Sequence, residues 1–147
     1  MARGYARGAV GVLDGSTAGA KADGRVVGAK VRAFEGVLDL ADASVKRAIG
    51  DDNGLFRLPP GCKPLYGFIN SSVSLGASTV SVGTTGATGK YRAAATHTVP
   101  DAPQLFMLSS ASDDLPLGAE EDVLLTIGTA ALPAAGIVTI VVFASAR

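Results

Sequence analysis

The sequence predicts an all-β fold: a single β-sandwich or jelly-roll domain of about eight or nine short strands, preceded by an extended N-terminal arm. Three observations carry this. Apolar and polar residues alternate in short runs, and Gly- and Pro-rich turns separate those runs at close intervals. No stretch sustains a helical period over the three turns of an ordinary helix. The first 24 residues are rich in Ala, Gly and Ser with scattered charges and sustain no apolar period, so residues 1–24 are expected to form an arm and residues 25–147 the domain.

Within the domain, Arg25 to Leu40 alternates first on Val27, Ala29, Val31 and Ala33, then on the other phase with Phe34, Gly36, Leu38 and Leu40. That change predicts a bulge or turn near Phe34, because a one-residue slip moves every side chain to the opposite face. Asp42 to Ile49 reads as a short helix capped by Asp42 or as another strand. Asp51-Asp52-Asn53-Gly54 reads as a turn, since Asn and Gly tolerate positive φ and Asp bonds its own backbone. Strands are then expected at Leu55 to Leu58, ended by Pro59-Pro60-Gly61, at Leu65 to Ser72, and at Thr79 to Val82 after a Leu75-Gly76 turn. Gly83 to Gly89 is expected as a loop. Further strands follow at Tyr91 to Val99, Leu105 to Leu108, Asp122 to Ile127 and Ile137 to Phe143, with the last two expected to pair as a hairpin across Gly128 to Gly136.

Composition narrows the function classes. The formal net charge is zero, which argues against a general nucleic-acid coat, and no aromatic ladder accompanies the basic residues. A single cysteine, Cys62, excludes an intramolecular disulfide framework. Ala130 to Ala144 is the longest apolar stretch, and Pro133, Gly136 and Thr139 interrupt it, so no membrane partner is expected. The start has no apolar signal core, so cytoplasmic synthesis is expected. With one Cys and one His, neither an N/S zinc site nor another cofactor is expected. His97 lies in an alternating run and is expected to point to solvent; Cys62 is expected to be a buried or incidental thiol.

Two patterns fall short of catalytic motifs. Gly83 to Tyr91 approaches a phosphate loop but has Thr84 and Tyr91 where that loop needs Gly and a hydroxyl ligand for magnesium. Gly15-Ser16-Thr17-Ala18-Gly19 mimics a nucleophile elbow with no strand leading in and no helix leading out. No catalytic residue, and no enzyme, is expected.

The neutral total conceals an uneven distribution. Residues 1–32 carry a formal +4, and residues 101–125 a formal −6. The acidic group Asp113, Asp114, Glu120, Glu121 and Asp122 matches no EF-hand spacing, so it is expected to be a solvated acidic turn and not a calcium site. Together with Arg3, Tyr5 and Arg7 in the arm, Asp113, Asp114, Glu120 and Glu121 are the candidate partner-binding residues: a basic arm of one subunit meeting an acidic loop of another fixes register.

The runs Leu58–Leu65 (LPPGCKPL), Ile69–Gly83 (INSSVSLGASTVSVG) and Gly89–Ala95 (GKYRAAA), then the acidic Leu117–Gly128 (LGAEEDVLLTIG), a Pro/Gly segment and a final apolar strand, resemble small structural proteins of tailed bacteriophages. The likeness lies in the order of these segments and covers roughly residues 38 to 144. It implies a virion component, foremost a head decoration or cement protein on the capsid surface. The implied partners are the major capsid protein and further copies of the chain, as a homo-oligomer, with a trimer at a shell symmetry axis as the arrangement the resemblance suggests. A tail or neck component is the alternative. A carbohydrate-binding module is the rival from another class, although such sites stack sugars on aromatics and this chain offers only Tyr5, Tyr66 and Tyr91, with no Trp.

Overall fold

A computed structural model describes residues 30–107 and 116–146. They form eight strands: β1 (Lys30–Asp39), β2 (Asp52–Leu58), β3 (Lys63–Ser71), β4 (Thr79–Thr84), β5 (Ala87–Thr96), β6 (Gln104–Phe106), β7 (Glu121–Gly128) and β8 (Ile137–Ala146). Two four-stranded sheets result, in the orders β1-β8-β3-β6 and β2-β7-β4-β5. Every pairing is antiparallel. The predicted arm over residues 1–24 lies outside the described residues.

Period-two alternation builds the core. β8 turns Val138, Ile140, Val142 and Ala144 inward, and β7 turns Val123, Leu125 and Ile127 toward them from the other sheet; all are at most 1% exposed. Leu38 and Leu40, Ile69, Val80 and Val82 complete the layer. Burying each such side chain contributes about 1.5–3 kcal/mol, so the apolar phase of each strand decides which face turns in.

Several expected elements fall elsewhere. β1 pairs with β8 over all ten residues without a register shift, so there is no bulge or turn at Phe34. The inward phase is the even one, and Val31 and Val37 simply face out. Asp42 to Ile49 is neither helix nor strand but a series of turns: the Asp42 carboxylate accepts the Ser44 N–H at 2.8 Å, and the Val45 N–H donates to the Asp42 carbonyl at 3.2 Å. The turn expected at residues 51–54 is displaced to Ala48–Asp51, where Gly50 takes φ +85°. Asn53 is instead a buried strand residue whose side chain bonds both the N–H and the carbonyl of Lys46.

Residues 83–89 are not a loop. β4 and β5 join through Thr85-Gly86, a two-residue hairpin in which Gly86 supplies φ +81°. The phosphate-loop pattern is therefore ladder and tight turn. β7 and β8 are not a hairpin, since they belong to different sheets and residues 129–136 cross between them. Among the described strands, only β4 and β5 are consecutive and share a sheet.

Candidate functional site

Of the seven candidate partner-binding residues, Arg3, Tyr5, Arg7, Asp113 and Asp114 lie outside the described residues. Glu120 and Glu121 sit at the start of β7, and both are engaged within the chain. Arg57 of β2, opposite Asp122 in the ladder, forks its guanidinium onto that carboxylate at 2.6 and 3.0 Å and reaches Glu120 at 3.4 Å. The hydrogen bonds from Arg57 hold the Asp122 carboxyl below its ordinary range. Glu121 points to the other neighbour, accepting hydrogen bonds from the Lys90 ammonium and the Tyr91 hydroxyl. Burial alone would raise its pKa, but those two donors keep it below the usual value; burial, then the facing carboxylate, push Tyr91 upward. Cations of β2 and β5 thus compensate the acidic stretch, at least over residues 120–122.

The thiol and the imidazole also find their places. Cys62, 2% exposed, follows the turn in which Gly61 takes φ +78°, and burial raises its pKa away from the reactive thiolate. His97 does not point to solvent. It is fully buried, and neither ring nitrogen has a hydrogen-bond partner among the described residues. β5 ends at Thr96, so strand alternation no longer governs residue 97, and the bond from the Leu75 N–H to the His97 carbonyl at 2.9 Å turns the chain inward. The nearby Glu121 carboxylate pushes the Cys62 thiol up further. No cluster of three or more metal-ligating side chains occurs among the described residues.

Arg92 is a functional-looking residue that proves structural. Buried at 7% exposure, its guanidinium bonds the carbonyls of Val80 and Ala95 (3.2 Å for the latter) and the Gln104 side chain at 3.1 Å. It spans the register shift between β4 and β5 and ties β5 to β6.

What remains open to a partner is surface. The outer face of the sheet β1-β8-β3-β6 is markedly apolar: Ala33, Phe143 and Tyr66 share one row, Val141 and Phe68 the next, with Leu105 opposite Phe68. Tyr66 stacks on Phe143 with ring centroids 4.9 Å apart. Val31, Val37, Leu105 and Ile137 remain exposed on it. The signal for this face was present in β8, which is apolar on both phases from Ile137 to Phe143 apart from Thr139. Of the tyrosines, Tyr91 is buried against Glu121, whereas Tyr66, stacked on Phe143, stays 39% exposed on this face.

No family model matches the chain, and no curated protein matches it. Two solved structures share its architecture. A chain of the cyanophage Pam1 capsid asymmetric unit superposes with a TM-score of 0.64 at 18% identity, covering 90% of this chain and 96% of that one. A chain of the capsid of Ralstonia phage GP4 superposes with a TM-score of 0.57, also at 18% identity, covering 81% and 84%. At that identity the likeness establishes a shared fold.

Proposed function

We propose that this chain is a non-enzymatic structural component of a phage particle, and specifically a decoration or cement protein that binds the outer surface of the head and stabilises it. The observation that carries the reading is the correspondence of nearly the whole fold with a chain from a phage capsid. The strand orders β1-β8-β3-β6 and β2-β7-β4-β5 support it further, because eight antiparallel strands so interleaved are those of a jelly roll, an architecture used by viral capsid proteins. The sequence resemblance to small virion proteins points the same way. The partners are the major capsid protein and neighbouring copies of the chain. Arg3, Tyr5 and Arg7 anchor the arm to them, and Asp113 and Asp114 meet basic surface, while Glu120 and Glu121 are held by Arg57, Lys90 and Tyr91 of the same chain.

The test is the copy number of this chain relative to the main shell protein, by quantitative mass spectrometry of purified particles. A ratio near one, or a simple fraction of it, is expected for a lattice that follows the shell. A handful of copies would move the chain to the neck or tail, and absence from particles would overturn the virion reading.

A further inference from the structure

Among the described residues the two open sheets have four edge strands, β1, β6, β2 and β5. An edge presents unpaired N–H and C=O groups to any passing strand, and folded proteins blunt it by shortness, bulges or proline. Three of the four are blunted. β6 is three residues long, β2 shifts register between Gly54 and Phe56, and the β4–β5 ladder shifts twice. β1 has none of these devices. It runs ten residues without proline, pairs with β8 in unbroken register, and carries Val31 and Val37 at 56% and 55% exposure.

Charge on β1 does not protect the edge against a copy of itself. Lys30 and Arg32 stand on the even phase at its start and Glu35 and Asp39 on the odd phase in its second half, so an antiparallel copy centred on Phe34 sets no like charges opposite each other: Lys30 meets Leu38, Arg32 meets Gly36 and Glu35 meets Ala33. We propose that β1 pairs antiparallel with β1 of a second copy about a two-fold axis, joining two four-stranded sheets into one continuous sheet. Both cores stay on the same side only if inward residues oppose inward residues, which restricts the register. Centring the axis on Phe34 sets Val31 against Val37 of the second copy, twice per dimer, and Arg32 against its Gly36. It also covers Phe34, which its own chain buries only in part, beside Phe56 at 6.1 Å. Centring on Glu35 instead would set that carboxylate against itself, at a cost.

This pairing goes beyond the virion reading and is tested without a particle, so either can fail alone. It is isologous and closes as a dimer, whereas a trimer needs a heterologous contact. Sedimentation of the purified full chain is expected to show a reversible dimer. Val31→Lys with Val37→Lys sets like charges opposite each other and is expected to weaken dimerisation by at least about tenfold while the monomer stays folded. A mixture of the single variants Val31→Cys and Val37→Cys is expected to form a disulfide-linked dimer between the two, which neither forms alone. Amide exchange of the unmodified chain gives a second readout, with β1 amides slowing as concentration rises. A monomer at the highest soluble concentration, a trimer, a dimer indifferent to the lysines, or concentration-independent exchange in β1 would overturn the proposal.

Discussion

At the scale of single residues, the core contains one polar side chain that works against it. His97 is removed from water without a hydrogen bond to either ring nitrogen among the described residues. An unpaired buried polar group costs about 1–3 kcal/mol, so an apolar replacement of similar volume relieves the cost. His97→Leu is accordingly expected to raise stability by about 1 kcal/mol, read as a higher urea midpoint at unchanged slope; a lower midpoint would show that the ring's packing outweighs its desolvation. Glu121 is the opposite case. Its pKa is lowered from 4.5 in spite of burial, because Lys90 and Tyr91 donate to it. A carboxylate depressed on folding contributes stability that is complete above its unfolded value and lost as pH falls through the folded one. Glu121→Gln should therefore cost about 1–2 kcal/mol at neutral pH, a deficit that shrinks below pH 4.5 as the wild-type carboxylate protonates. Thermal melts of both proteins from pH 7 down to pH 3 check it. A constant difference across that range would assign the effect to shape instead of charge.

At the scale of elements, two glycines on different strands separate backbone necessity from incidental composition in this Gly-rich chain. A Cβ on Gly67 in β3 would lie 2.5 Å from the Val141 carbonyl oxygen of β8 and 2.6 Å from the Phe106 ring of β6. Gly54, at the bulge of β2, has nothing within 4 Å. Gly67→Ala is expected to cost about 3 kcal/mol by forcing β8 and β6 away, and Gly54→Ala to be neutral or slightly stabilising through the unfolded chain; denaturant titration of the two variants side by side checks both. Most strands were legible because their alternation is local: Leu65 to Ser72 marked β3 to within two residues, and Pro59-Pro60-Gly61 marked the end of β2. Errors arose where sequence neighbours are not spatial neighbours. The Pro/Gly segment after β7 reads as a hairpin, yet it crosses between sheets, with Thr129 at φ +64° and its hydroxyl 3.0 Å from that of Thr79. Asp51 to Gly54 carries turn chemistry, but Asn53 uses its amide to hold Lys46 of the preceding loop, a bond seven residues distant that no local signal announces. The candidate site was legible as residues, since Glu120 and Glu121 stood out by charge; their partners Arg57, Lys90 and Tyr91 come from other strands and did not.

At the scale of the whole molecule, the ends of the domain meet in one sheet. β1, the first described strand, has β8 as its only ladder partner among the described residues, and β8 also pairs with β3 along most of that strand's length. β8, the last described strand, is therefore an interior strand of its sheet, and its inward residues Val138, Ile140, Val142 and Ala144 are all fully buried. Until it is present, β1 has no ladder among the described residues and the inner face of the other sheet lacks the cover of these four side chains. Arg47 adds to this dependence, bonding the Leu40 and Ala134 carbonyls at 2.9 Å each and so fastening the first inter-sheet crossing to the last. The two ends should consequently differ in what their loss does. Ending the chain after Gly136 is expected to abolish cooperative unfolding altogether, leaving a collapsed species with no sharp thermal transition by circular dichroism. Deleting residues 2–24 is expected to leave the transition of the domain intact and to weaken attachment to particles, because that segment has no apolar period with which to enter the core. Loss of the transition in the second truncation would place the first 24 residues in the core and would remove the arm from the proposed mode of binding.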